Sequence, residues 1–110
     1  MIETIICNYL SDKLEVPVLP EKPARPFKDM VFVERTGGRG KFIRDTTIAI
    51  QSYSDSMYKA AKLNEDVIEA MQGIIELNDI ISVDLNQNYN FTDTQTKEYR
   101  YQAVFDIKHY

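Results

Sequence analysis

The strongest constraint on the fold is a change in the period of the apolar residues. Between residues 57 and 75 they recur at the 3.6-residue spacing of an amphipathic helix. After Asn78 and Asp79 the spacing becomes two, as in a strand with one buried face. Segment 99–108 alternates most regularly, and Val104 is its one exception. The second half of the chain is therefore predicted to form one long helix followed by a β-hairpin.

The bounds of these elements follow from local signals. The helix is expected over about 55–76, with Ser54, Asp55 or Ser56 as its N-cap. Polar residues 92–97 are expected to form the turn of the hairpin. In the strand before that turn, the large apolar residues are expected on one face: Ile81, Val83, Leu85, Tyr89 and Phe91.

The first half contains one helical segment and two strand segments. Apolar residues at helical spacing predict a short amphipathic helix over 2–13. Strands are predicted over 29–35 and 42–53, and the glycine-rich segment 36–40 is expected to break the chain between them. The expected fold class is α+β in a single domain, residues 1–110. An antiparallel or mixed sheet of about four or five strands, including the C-terminal hairpin, packs against the long helix.

Composition narrows the possible functions. A net charge of −4 argues against a protein that coats nucleic acid through its overall charge. A single cysteine, Cys7, allows no internal disulfide and fits a reducing compartment. The apolar run at residues 5–7 is too short for a signal sequence, and no segment approaches the roughly 20 apolar residues of a membrane span. The expected protein is intracellular when made and has no membrane partner.

Residues for catalysis or metal binding are scarce. The one histidine, His109, is penultimate, and we expect it to be half-exposed at a strand end. Cys7 near the apolar stripe of the first helix is expected to be a packed thiol. One cysteine and one histidine cannot build a typical zinc site, and no acidic loop has EF-hand spacing. We therefore predict no enzyme activity, no cofactor and no metal.

The most distinctive polar feature is a basic, glycine-rich segment. It comprises Arg35, Thr36, Gly37, Gly38, Arg39, Gly40, Lys41 and, slightly later, Arg44. Glycines with bases can cradle phosphate. However, the glycine spacing is too short for a P-loop, and Lys41 precedes Phe42, where a P-loop requires serine or threonine. An exposed contact loop for a protein or a DNA backbone is the favoured interpretation.

A second candidate contact is a strap in which a proline recurs every third residue. Its prolines are Pro17, Pro20, Pro23 and Pro26. This period fits a polyproline II segment that docks into an aromatic groove. The simpler interpretation, which we favour, is an irregular edge strand and connector, because proline blunts a pairing edge.

With these elements in place, the chain resembles the tail terminators, or tail completion proteins, of long-tailed bacteriophages and the related prophage minor tail proteins. The first motif is a proline-rich lead into a strand ending in Glu-Arg-Thr-Gly-Gly, residues 34–38. The second is the strand 45–53 running into a helix, and the third is Arg100-Tyr101 at the start of the last strand. Tyr53 stands where many members of the family have tryptophan.

The resemblance implies a structural virion protein. Members form a ring, usually a hexamer, on the head-proximal end of the tail tube. The ring stops tube polymerisation and joins the head connector (the stopper protein), and DNA passes through its bore without specific binding. The implied location is the host cytoplasm during assembly and then the virion tail. On this interpretation the basic segment lies at an axial face or in the lumen of the ring.

Two alternatives remain open. The chain could be another head–tail joining protein or the tail tube protein itself, which would form long polymers in place of a closed ring. A more remote alternative is a small phosphate- or nucleotide-binding protein that uses the loop Gly37–Lys41.

Overall fold

The chain folds into two helices on one side of a five-stranded sheet. The computed structural model describes residues 1–24 and 28–110. The helices are α1, Ile2–Lys13, and α2, Met57–Gln72, which continues as a 3-10 turn, Gly73–Glu76. The strands are β1, Val18–Leu19; β2, Met30–Arg39; β3, Arg44–Ser54; β4, Ile80–Asn90; and β5, Tyr99–His109. The predicted α+β class is confirmed.

The sheet is mixed, with strand order β1-β2-β3-β5-β4. Short β1 pairs parallel to β2, and every other neighbouring pair is antiparallel. The β4–β5 pair is the predicted C-terminal hairpin, and β5 lies in the middle of the sheet beside β3. Its central position explains its regular alternation, because one of its faces lies under a helix.

The hydrophobic core lies between the helices and one face of the sheet. The buried side chains from this face include Val31, Val33, Ile48, Ile50, Ala103, Phe105 and Ile107. Helix α1 contributes Ile6 and Leu10, and α2 contributes Val67 and Met71, all of them fully buried. We call this side of the sheet the covered face. The opposite side, on which neither helix packs, we call the open face.

Helix α2 begins and ends close to the predicted bounds. Ser56 is its N-cap and accepts a hydrogen bond of 3.1 Å from the backbone N–H of Lys59. Asp55 also contacts Lys28 at 3.1 Å and Lys59 at 3.3 Å. The hydrogen bond from Lys28 is the main reason that the pKa of Asp55 lies below its usual value.

The glycine-rich segment does not break β2, so that prediction is wrong. The strand continues through Gly37 and Gly38 to Arg39, where the ladder reaches Asp45. A bulge at Thr36 absorbs one extra residue, and the Thr36 hydroxyl donates to the carbonyl of Thr47 at 3.4 Å. The ladder with β3 therefore compensates for the poor strand propensity of glycine.

The predicted apolar face of β4 is also wrong. The register shifts at Ile81 and again at Asn86. Because each bulge moves the following side chains to the other face, Val83 and Leu85 lie opposite Ile107 and Phe105 on the covered face. Tyr89 lies opposite Gln102 on the open face. Asn88 takes the place beside the helix, where its side-chain oxygen accepts a 2.6 Å hydrogen bond from buried Asn64.

The described part of the strap agrees with the simpler interpretation, an irregular edge strand and connector. Val18–Leu19 is a two-residue edge strand, and the carbonyl of Pro17 accepts a 2.8 Å hydrogen bond from the backbone N–H of Val31. Pro17 and Pro20 are exposed and Pro23 is half-buried. Pro26 lies outside the described residues. In the described parts of the chain, no helix is long and apolar enough to cross a bilayer.

Candidate functional site

The turn between β2 and β3 is preformed by one glycine. Gly40 has φ +104°, and a Cβ atom there would lie 2.3 Å from the carbonyl oxygen of Ile43. Any other residue would be strained and would clash with backbone. Segment 40–43 therefore requires glycine at its first position; it forms the tip of the β2–β3 hairpin, which we call the hairpin tip.

The bases of this region do not form a single cluster. Arg35 lies on the covered face, where its Nε is 3.8 Å from the carboxylate of Glu3 in α1. Arg39 lies on the open face, 3.9 Å from Asp45, with its side chain 86% exposed. Lys41 and Arg44 are exposed and form no salt bridge within residues 1–24 and 28–110. The sequence predicted one basic contact loop, whereas the structure places these bases on both faces of the β2–β3 pair.

The hairpin tip also exposes apolar side chains that the sequence analysis missed. Phe42 is 89% exposed and Ile43 is 53% exposed. The predicted strand 42–53 included both, but β3 begins only at Arg44. The missed signal was their position directly after Gly40-Lys41, where a turn exposes the next residues whatever their polarity. An exposed aromatic residue between bases is a common composition for a protein contact.

Charge is strongly segregated on the molecule. Residues 35–45 hold four bases and one acid, a net charge of +3. Because the whole chain carries −4, the remaining residues carry −7. The hairpin is therefore the part best able to attract an acidic surface.

A hollow of about 420 Å³ lies beside this hairpin. Three arginines line it, Arg35, Arg39 and Arg44, together with the glycines of β2 and the side chains of Thr36 and Thr46. No carboxylate is among its lining residues. Guanidinium groups and backbone next to glycine form a suitable surface for an oxyanion.

The open face carries a network of hydrogen bonds across three strands. The hydroxyl of Tyr53 donates to the side chain of Gln51 at 2.8 Å and accepts from Arg100 at 3.1 Å. Gln51 donates to Gln102 at 3.0 Å, and Gln102 donates to the hydroxyl of Tyr89. These side chains bind one another across β3, β5 and β4 and fix the strands laterally, on a face that also buries Met30 and Ala49.

Cations stack on the aromatic rings at one end of this network. The Arg100 guanidinium lies 4.5 Å from the ring centroid of Phe91 and 5.7 Å from that of Tyr53. Lys22 of the strap lies 5.5 Å from the Tyr53 centroid and 3.3 Å from the carboxylate of Glu98. The described part of the strap therefore contacts the open face near the start of β5.

The other end of the open face holds two acids side by side. Asp84 of β4 lies directly opposite Asp106 of β5. Asp106 accepts hydrogen bonds from Thr47 at 3.1 Å and from Asn86 at 2.8 Å. Like charges directly opposite each other destabilise a strand pair. Local sequence therefore leaves an unfavourable arrangement on the surface of the sheet.

Both outer edges of the sheet are available for pairing. Within the described residues, β4 pairs only with β5, so its outer side faces no strand. On the opposite edge β1 covers only Val31 and Phe32, which leaves the outer side of β2 from Val33 to Arg39 without a partner strand. Such edges expose backbone N–H and C=O groups that a strand from another chain can pair with.

Cys7 and His109, whose side chains could be reactive, are both buried. Cys7 is buried, and burial followed by the charge of Glu3 raises the pKa of its thiol. His109 is 5% exposed, so the expectation of a half-exposed end was wrong; its Nε2 lies 2.8 Å from the Thr46 hydroxyl. Across the described parts of the chain, no group of three potential metal ligands is present.

Comparison with known proteins identifies no relative: no protein-family model matches the chain, and no curated protein matches it significantly.

Proposed function

We propose that the chain is a structural virion protein that closes into a ring on the head-proximal end of a phage tail tube. The ring stops tube growth and presents a face to the head connector. The motifs at residues 34–38, 45–53 and 100–101 suggest this role. The observation that supports it best is a sheet with helices on one face and polar side chains on the other, in which the outer side of β4 and that of β2 beyond Phe32 have no partner strand among the described residues.

The strand directions are compatible with ring closure. In the order β2-β3-β5-β4 each strand is antiparallel to the next, so β2 and β4 run in opposite directions at the two edges. If a second copy related by rotation is placed beside the first, its β2 meets β4 in an antiparallel arrangement. Repetition of this head-to-tail contact continues one sheet and closes when the rotation reaches a full turn.

The two faces then acquire different roles. The helices lie on the outside of the ring, and the open face lines the bore. Its wall exposes polar side chains such as Gln102, Thr47 and Asp106, whereas Gln51 and Tyr53 of the same face are buried. The acids Asp84 and Asp106 on this face repel phosphate, so such a bore lets DNA pass without retaining it.

The hairpin tip lies at one axial end of such a ring. There each copy presents Lys41, Phe42 and Ile43, a contact that is both apolar and basic. Its partner is the next protein along the tail axis, either the tail tube or the head connector. Lys41→Glu with Phe42→Ser should leave ring formation unchanged and abolish docking. Capping by this double variant at wild-type efficiency would remove the hairpin tip from the proposal.

Electron microscopy of polymerising tail tubes tests the proposed function. The wild-type chain, added to tube subunits during assembly, is expected to give shorter tubes with one extra ring at one end. Tubes of unchanged length without a terminal ring would contradict the proposal. Long polymers formed by the chain alone would instead favour the tail tube protein. The proposal includes no catalysis, no cofactor and no membrane contact, and it locates the protein in the host cytoplasm and then in the virion tail.

The arginine-lined hollow favours a second candidate function, the binding of phosphate or a nucleotide. Three arginines without a lining carboxylate would stabilise a polyphosphate. Thermal unfolding with ATP, GTP or pyrophosphate tests it, because a ligand that binds only the folded state raises the melting temperature. A rise that Arg35→Gln and Arg44→Gln abolish would support this function, and no rise would exclude it.

A further inference from the structure

The acids on β4 indicate where a neighbouring copy would bind. Asp84 is exposed and faces Asp106 across the β4–β5 pair. Among the described residues no basic side chain forms a salt bridge with it. Asp106 is compensated by its two hydrogen bonds, whereas Asp84 is not. A cation from outside the chain would relieve this repulsion.

A suitable cation lies at the opposite edge of the same sheet. Arg39 ends β2 and is directed to the open face, as Asp84 is. Its only salt bridge among the described residues is the 3.9 Å contact with Asp45. Arg39 is opposite Asp45, Asp45 is opposite Lys108, and Lys108 is opposite Ser82, two residues before Asp84. The arginine and the aspartate therefore lie at nearly the same height on the two edges.

The backbone beside Arg39 permits close approach of another strand. Gly37 and Gly38 have no side chains, and a Cβ at Gly37 would meet nothing within 4 Å. The outer side of β2 is unpaired here, within the described parts of the chain. A neighbouring β4 can therefore reach this edge without displacing a side chain.

We propose that Arg39 of one copy forms an ion pair with Asp84 of the next copy, across an antiparallel contact between β2 and β4. This inference rests on the proposed ring and specifies its subunit contact. The partner is a second copy of this chain, because the two edges that have no partner strand among the described residues carry opposite charges on the same face. The pair also sets the order of the contact: β2 binds β4, never another β2.

Charge reversal of single sites tests the pair. Arg39→Glu places two acids at each contact, and Asp84→Arg places two bases there. Each variant alone should lose the six-copy species in native mass spectrometry. The double variant, Arg39→Glu with Asp84→Arg, should recover it. Lys59→Glu and Glu65→Arg, which change the charge equally on exposed positions of α2, serve as matched controls and should keep the wild-type assembly.

A mixture of the two single variants gives the most specific test. In a head-to-tail ring the variants can alternate around the axis. Half of the contacts then join the two substituted positions, a glutamate on β2 with an arginine on β4, and the other half join the natural Arg39 with Asp84. An equimolar mixture should therefore form a six-copy ring with three copies of each variant. Complementation of this kind requires native folding of both variants, so misfolding cannot produce it.

The outcomes separate this inference from the proposed function. A wild-type ring that both single variants also form would overturn the ion pair and leave the ring intact. A two-copy species as the largest wild-type assembly would overturn the β2–β4 contact in favour of a symmetric one. A wild-type chain that stays monomeric at about 1 mM, where even a millimolar dissociation constant gives visible association, would also overturn the inference. Tube capping by electron microscopy then decides the proposed function independently.

Discussion

The covered face and the open face belong to the same strands but are stabilised in different ways. Phe105 and Ile107 of β5 are at most 1% exposed beneath the helices. Gln102 on the same strand, directed to the other side, participates in a network of hydrogen bonds. Apolar burial stabilises a fold without requiring particular geometry, whereas hydrogen-bonded networks require it. The covered face therefore supplies most of the stability, and the open face supplies a defined polar surface.

The two faces also differ in how completely their groups are satisfied. The covered face is closed by α1 and α2, and its large side chains contact one another. The open face contains Asp84 opposite Asp106, and Arg39 is largely exposed at the other edge. The charged groups of the open face thus have fewer partners within the described residues than the apolar groups of the covered face have.

Neighbouring residues of β5 give the most direct contrast. Phe105→Ala on the covered face should lower the free energy of unfolding by about 3–5 kcal/mol, because it leaves a cavity in the core. Val104→Ala, which is on the open face and half-buried, should cost much less. Urea unfolding measures both values. Equal losses for the two variants would contradict the contrast between the faces.

A second prediction concerns the hairpin tip, whose conformation depends on backbone geometry and on neither face. Gly40→Ala should cost about 1–3 kcal/mol, because φ is +104° and the added Cβ would clash with the carbonyl of Ile43. Gly37→Ala is the matched control, since space around it is open and its φ is not in the left-handed region. Thermal unfolding of both variants provides the comparison. A cost at Gly37 as large as that at Gly40 would show that the φ angle and the clash at Gly40 do not determine the loss.

The polar network of the open face should contribute less than the core. Tyr53→Phe removes a hydroxyl that donates to Gln51 and accepts from Arg100, at an expected cost of about 1 kcal/mol. Tyr58→Phe, at a residue that is 79% exposed, is the control and should be nearly neutral. Chemical denaturation with both variants distinguishes them. A loss of unfolding free energy as large as that of Phe105→Ala would contradict this ranking, because the network would then stabilise the fold as much as the apolar core does.

The smallest expected effect concerns pH and the turn of the β4–β5 hairpin. Hydrogen bonds from the backbone N–H groups of Thr96 and Gln95 lower the pKa of Asp93. Because the pKa in the folded state lies below that of the unfolded chain, this carboxylate stabilises the fold above the unfolded value near 3.8. The contribution is lost as pH falls through the folded-state pKa.

Asp93→Asn provides the matched variant, since its amide oxygen can still accept the same hydrogen bonds. Melting temperatures of wild type and variant between about pH 6 and about pH 2.5 should converge at the acid end. The screening of an exposed carboxylate keeps the difference small. A constant offset across this pH range would show that the charge of Asp93 has no part in the turn.

Sequence periodicity was sufficient to predict the helices and strands, but not which face of the sheet every strand residue lies on. The helix spans, the C-terminal hairpin and the α+β class followed from periods of 3.6 and 2, because burial on one side imposes those periods. The bulges at Thr36, Ile81 and Asn86 were not visible, since a bulge depends on the pairing with another strand. For that reason Tyr89 was assigned to the wrong face.

The candidate site was predicted only as a basic segment. Composition identified the bases from Arg35 to Arg44, but pairing with β3 divided them between two faces. The exposure of Phe42 depends on the φ angle of Gly40, which sequence alone does not give. The opposition of Asp84 and Asp106 likewise exists only in the register of β4 and β5.

We propose that the open face and the two edges make this chain a subunit of a closed ring. Light scattering after size exclusion, at low and high protein concentration, tests it most directly. Six copies of 12.8 kDa give about 77 kDa, and the account predicts a species of this mass that does not grow further with concentration. Polymers of increasing length would contradict ring closure, because they would show that the edge contact repeats without returning to its start.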